Sequence, residues 1–495
     1  MARYKRRSQD RIMVAISLEE QLLPGSFESA LNYIIDNELD LSAFDAAYHN
    51  DSAGPEAYPP QTLLKVVLYG YSKGLLSSRK IQIACRTNVV FMALAADARP
   101  DHATIASFVS SKGTHIKEVF VQVLVICSQL ELIGMEQFAL DGCKLSSNAA
   151  KEHSGTFEEY RNKLAALDQK IELLMKQHQH NDLLPEQDRL QKAIEGIQKQ
   201  KSRIQKFLQT HSPREHHPGR EVKSNLTDNE SAKLKSSAGY LQGYNALALT
   251  DSKHQIVLNA YAIGRQYEGD ELRPFLTDSL DTATQAGISK EQFRATTFLA
   301  DTNYFSEDNC RFLLENQKMD AVIPDPHFRS RDPRFDSRPQ TDRVHQPDFS
   351  YEPETDRYRC PQGKLLNRYT KINSGPHRGR KYRSQQSDCQ DCPLAQSCLS
   401  RGARQRTLFI PDPDASQTYA QRMMEIIDSP RGRQKYARRM GIVEPVFANI
   451  KFAKGMNRFT LRGSKKVIIQ WLCYCLVHNI EKIATTGAIK RLQAA

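Results

Sequence analysis

The 495 residues are enough to bury a large core and to form more than one domain. A formal charge of +12 and a pI near 9.1 favour a polyanionic partner and disfavour an acidic protein as substrate. The apolar run 12–16 is cut short by Glu19 and Glu20, and 467–477 is interrupted by Gln470, which excludes a signal-peptide core and a membrane-spanning helix. The expectation is a cytoplasmic protein whose ten cysteines are mostly reduced thiols or metal ligands.

The chain opens on Arg3, Lys5, Arg6, Arg7 and Arg11, and residues 12–48 and 60–135 then read as helical. Leu63, Leu64, Val67, Leu68 and Tyr71 share one helical face after the Pro59-Pro60 start. Short helices follow near 77–86 and 103–110, with the turn Ala98-Arg99-Pro100-Asp101-His102 between them. Exposed Arg79, Lys80 and Arg86 make this region, 1–135, suitable for a helix-turn-helix DNA reader; a plain helical packing or dimerisation domain fits the periodicity equally. Strands at 138–145, 244–250 and 255–263 are followed by a helix at 270–286, a strand at 296–300, a helix at 306–317 and a strand at 320–324. With a late helix carrying Glu444, this order predicts a mixed α/β sheet with helices on both faces, built from 136–324 and 436–485. Two insertions interrupt it. In 157–210 the three-four spacing of Leu164, Leu167, Ile171 and Leu174, and then of Leu190, Ile194, Ile197, Ile204 and Leu208, predicts an antiparallel helical hairpin. Residues 325–435, rich in Pro, Asp, Arg and Cys, are expected to be mostly irregular.

Three acids stand out. Asp141 and Asp301 each end a short apolar run of strand type, and Glu444 is the only acid in the basic stretch 431–466. Carboxylates that meet in space supply the hard oxygens that two Mg²⁺ or Mn²⁺ ions need for cutting and joining phosphodiesters. Each aspartate taken alone is more readily a turn or helix cap, and an incidental acid on a solvated basic helix is the lesser reading of Glu444. Glu444 and Lys451 are two helical turns apart, on nearly one face, provided the helix starts at Glu444 and takes Pro445 in its first turn. Arg458 and Arg462 precede the apolar helix around Trp471, where they either contact phosphate or form a solvated turn. Cys389-x-x-Cys392 is a tight chelating pair that Cys360 and Cys398 can complete into one structural Zn²⁺ site; four free thiols is the other reading.

Several blocks resemble the DDE transposases of bacterial insertion sequences. They are Pro60-x2-Leu63-Leu64-Lys65, Gly70-Tyr71-Ser72-Lys73-Gly74, Ser77-Ser78-Arg79-Lys80-Ile81 and Arg99-Pro100-Asp101-His102 in the N-terminal part. Leu140-Asp141-Gly142, Gly243-Tyr244-Asn245, Ala300-Asp301-Thr302-Asn303, Val443-Glu444-Pro445-Val446-Phe447 and Leu461-Arg462-Gly463 follow. The resemblance implies a ribonuclease-H-like core, with Asp141, Asp301 and Glu444 as the triad for two Mg²⁺ or Mn²⁺ ions. It further implies Tyr436, Arg439 and Lys451 as residues that handle the element's ends. Four residues separate Arg439 from Glu444, where that signature has three. Its partners are then double-stranded DNA, as element ends and target, and a second copy of the chain, in the cytoplasm at the nucleoid. A DNA-binding protein of the same fold without chemistry, or a metal-dependent nuclease without strand transfer, are the alternatives.

Overall fold

Pro60 at the first position and an unbroken apolar face build α1 (Pro60–Ser72), whose Leu63 to Leu68 are almost wholly buried. The computed structural model describes residues 15–47, 56–179, 184–217, 219–236, 239–335, 344–372, 378–400, 402–412 and 417–494, so the basic cluster Arg3 to Arg11 lies outside the described residues. Two compact units divide the chain: residues up to Leu299 with those from Arg438, and Ala300–Ala437.

In the first unit, α1 is followed by α2 (Ser78–Thr87), α3 (Val89–Leu94), α4 (His102–Ser111) and α5 (Gly113–Gln129). The helix α3 lies between the two short helices expected from sequence. Asn88 restarts the chain there, its side chain accepting the N–H groups of Val90 and Phe91. Asp101 caps α4 in the same way. Arg79, Lys80 and Arg86 are exposed on α2.

The sheet contains β1 (Gln137–Ser146), β2 (Ala232–Ser236), β3 (Gly239–Asp251), β4 (Val257–Ile263) and β5 (Thr297–Leu299). β1 runs antiparallel to β3, from Phe138 opposite Asp251 to Ser146 opposite Gly243. On its other side it runs parallel to β5, from Gln137 opposite Thr297 to Ala139 opposite Leu299. β2 and β4 share the far edge of β3, both antiparallel to it. Between β1 and β2, α6 (Phe157–Gln179) and α7 (Leu184–Thr210) pack through Phe157, Tyr160, Leu167, Ile204 and Phe207. Tyr160 anchors their root by donating to the carbonyls of His153 and Ser224, at 2.7 Å each.

α9 and α10 return to this sheet from the end of the chain, after α8 (Leu272–Gln285). They span Arg439–Ala448 and Ser464–Thr485. α10 is buried almost all round, packed on β4, α1 and α5. Trp471 Nε1 donates to the Leu247 carbonyl at 2.8 Å, and the Asn479 amide pairs with both backbone groups of Val257. N-terminal helices and sheet therefore share one core through α10, and the boundary expected near 135 is not a break between compact units.

The second unit carries β6 (Ala321–Val322) and a five-stranded antiparallel meander. Its strands are β7 (Ser350–Glu352), β8 (Arg357–Arg359), β9 (Leu365–Ile372), β10 (Gly379–Arg383) and β11 (Thr407–Pro411). Phe349, Leu366, Tyr382 and Leu408 form its small core. The expectation of mostly irregular structure in 325–435 is corrected here. Most of β9 is solvent-facing Asn, Arg, Tyr, Thr and Lys, so its strand character leaves no apolar alternation to read.

Candidate active site

Asp141 lies inside β1, not at its end, because β1 continues to Ser146 against β3. The parallel pairing with β5 stops at Ala139, so the β5 side of β1 opens just before Asp141. The carboxylate is 13% exposed and both oxygens are engaged: Gly142 N–H donates to Oδ1 and Arg439 Nη1 to Oδ2, each at 2.8 Å. Behind the strand, Asn245 Nδ2 donates to Glu268 Oε2 at 2.6 Å, and this buried pair occupies the space a side chain at residue 142 would fill. Sequence reasoning missed Glu268, which has no local motif.

The helix bearing Glu444 begins at Arg439, not at Glu444, so Pro445 sits in its interior. Pro445 cannot donate to the Gly441 carbonyl four residues back. Gln255 Nε2 donates to that carbonyl instead, at 3.2 Å. The chain then widens into a π-helical turn, Asn449–Ala453, that carries Lys451, so simple α-helical spacing does not relate Lys451 to Glu444. Glu444 is exposed and Lys451 half-buried. Burial pushes the Cys143 thiol up to about 12, and the charges acting on it are those of Lys451, Asp141, Glu268 and Glu444. The charges of these four groups thus all reach Cys143 on β1. Cys143 stays a neutral thiol beside them, so the donors this neighbourhood offers are hard carboxylate oxygens, which fit Mg²⁺ or Mn²⁺ in kind.

Lys454, also in the basic segment, is internal. It donates to Asn449 Oδ1 at 2.9 Å and to Glu481 Oε2 at 2.6 Å. Arg458 and Arg462 are exposed and both bond Asn148, through Oδ1 at 3.2 Å and the backbone carbonyl at 2.9 Å.

In the second unit, Asp301 caps the short turn Thr302–Tyr304, accepting from Asn303 N at 2.9 Å and Asn303 Nδ2 at 3.1 Å. Tyr436, half-buried, packs edge-to-face on Phe328. Cys360, Cys389, Cys392 and Cys398 line one cavity of about 20 Å³ beneath the meander. Lys364 N–H bonds Cys360 Sγ at 3.3 Å, and Ser384 Oγ lies 3.2 Å from Cys389 Sγ. Four sulfurs round one cavity suit Zn²⁺ in kind. Among the described residues, however, no group of three or more His, Cys, Asp or Glu side chains is arranged to hold a metal ion.

The family model of the Transposase DDE domain matches residues 359–484, and that of the Transposase domain (DUF772) matches residues 16–111. Together the two matches indicate an insertion-sequence DDE transposase. That makes it a DNA-processing enzyme of transposition. The DDE match takes in the four meander cysteines, Tyr436, Arg439, Glu444, Lys451, Arg458 and Arg462. The other match takes in α1 to α4 with Arg79 and Lys80, and Asp141 and Asp301 lie outside both. No curated protein matches the chain. Among the described residues no helix is long and apolar enough to cross a membrane.

Proposed function

We propose that this transposase binds the double-stranded ends of its insertion sequence, cuts them and joins the freed 3′ ends to target DNA, acting as a homodimer. Asp141, Asp301 and Glu444 are the proposed ligands of two Mg²⁺ or Mn²⁺ ions. The observation that carries the reading is the seating of α9 on β1, which holds Glu444 among the charges around Cys143 with Asp141. The register adds to it. Ala139 pairs with Leu299, and each proposed aspartate lies two residues beyond its member of that pair. The sheet order β4-β3-β1-β5, antiparallel twice and then parallel, supports a ribonuclease-H-like core.

Asp141, Asp301 and Glu444 would hold the ions, which would supply activation of the attacking oxygen and charge stabilisation at the leaving one. The chain's own groups do the rest. Gly142 N–H orients the Asp141 carboxylate, and exposed Glu444 projects from a helix held by the sheet. Tyr436, Arg439 and Lys451 handle the element's ends, Arg458 and Arg462 grip phosphates, and Arg79 and Lys80 on α2 contact DNA as part of the N-terminal reader. In this reading the four meander cysteines would hold one structural Zn²⁺, which would reinforce the small core of Phe349, Leu366, Tyr382 and Leu408. Elemental analysis should find one zinc per chain, and a metal-free folded protein would remove the zinc.

The decisive assay is Mg²⁺-dependent cleavage of DNA carrying the sequences that flank the gene. Asp141→Ala, Asp301→Ala and Glu444→Ala should each abolish cleavage and leave end binding nearly unchanged. Retained cleavage in any one strikes that residue from the triad. Binding without nicking by the folded unaltered chain would mean a DNA-binding protein, and nicking without joining a nuclease.

A further inference from the structure

Asp141 and Arg439 form an ion pair between a proposed metal ligand and the basic segment. Its geometry is tight: Arg439 Nη1 lies 2.8 Å from Asp141 Oδ2, with the side chains 11% and 13% exposed. Gly142 N–H holds the other oxygen at 2.8 Å, so the carboxylate is fixed in plane and its Oδ2 faces the guanidinium. The partners come from different elements, β1 and the first residue of α9. Pairing them therefore pins the start of the helix that carries Glu444 to the strand that carries Asp141.

We propose that Arg439 is a positioning residue that competes with the divalent cation for Asp141 Oδ2 and so sets the metal concentration at which the enzyme loads. The inference rests on the metal-binding reading of Asp141 given above. A guanidinium and a divalent cation cannot both take the same face of one carboxylate oxygen. At a half-buried site, where charges are poorly screened, each raises the cost of the other. Loading a metal on Oδ2 therefore requires Arg439 to give up its bond.

The test is calorimetric titration of the full chain with Mn²⁺ in the absence of DNA, comparing the unaltered protein with R439Q, R439K and D141N. Trp471 fluorescence checks that each variant is folded. R439Q should bind Mn²⁺ about tenfold more tightly than the unaltered chain, because the competing charge is gone. R439K keeps the charge and should restore an affinity close to the original. D141N should lose the strong site. Unchanged or weaker binding in folded R439Q, with D141N defective, overturns the competition and leaves the metal reading standing. If R439Q does not fold, R439M takes its place: Mn²⁺ binding about tenfold tighter than the original supports the competition, and identical or weaker binding overturns it. Full Mn²⁺ affinity in D141N overturns both the inference and the reading beneath it.

Discussion

A methyl group at Gly142 would fall on the Glu268 carboxylate and within 2.7 Å of Asn245 Oδ1 and Leu247 Cδ2. None of the three can retreat easily. Glu268 is 4% exposed and bonded to Asn245, and Leu247 is fully buried in β3. Gly142→Ala should therefore destabilise the first unit by about 1–3 kcal/mol, the usual cost of overpacking a core. Urea unfolding followed through Trp471 reads this directly, and an unmoved midpoint would mean the pair is free to shift. Asp141 stands out as a candidate because a carboxylate after Phe138-Ala139-Leu140 breaks an apolar run. The Asn245–Glu268 pair was not, since nothing in a linear string marks a carboxylate as lying behind a strand formed far earlier in the chain. Arg439 was legible as a cation beside Glu444, but its partner is Asp141, a contact made only when α9 packs on β1.

The turn that carries Lys451 is held by a buried network more than by its own helix. Asn449 Nδ2 donates to Glu481 Oε2 at 2.6 Å and lies 3.0 Å from His478 Nδ1, while His478 Nε2 lies 2.9 Å from the Gln255 carbonyl. Burial raises the cost of charge on Glu481, yet hydrogen bonds from Lys454 and Asn449 hold its carboxyl below the usual range. Burial also holds His478 down to about 4, so the ring is neutral in the folded chain. Once unfolded it takes up a proton below about pH 6.5. The neutral ring's contribution is thus complete above that pH and drains away as pH falls toward 4, with about 2 kcal/mol gone by pH 5. His478→Gln removes the titration, so its unfolding free energy should drop less between pH 7 and pH 5. Equal drops in both proteins would show that His478 is not the group responsible. Pro445 illustrates why such elements were misread from sequence. A proline ordinarily marks a helix start, and only the Gln255 side chain, from another element, makes it tolerable inside α9.

At the scale of the molecule, a formal charge of +12 says that DNA binding will weaken with salt but not which cations are responsible. The mixed sheet was readable from its order of strands and helices. The sharing of one core by the N-terminal helices and the sheet was not, because α10 is apolar nearly all round and its neighbours are set only on folding. The same blindness applies to charge, since a run of Arg and Lys looks uniform until burial sorts it. Lys454, 2% exposed, is spent on Glu481 and Asn449. Its loss should leave the salt slope alone while costing about 3 kcal/mol or more of stability, because Glu481 is left without its cation. Arg458 and Arg462 are exposed and already ordered by Asn148, so meeting phosphate costs them little further entropy. On the proposed reading, R458A/R462A should make the logarithmic salt dependence of end binding shallower by about two, near one per lost phosphate contact. Measured from low to moderate salt on one duplex, an unaltered slope in that folded double variant would take both arginines off the DNA.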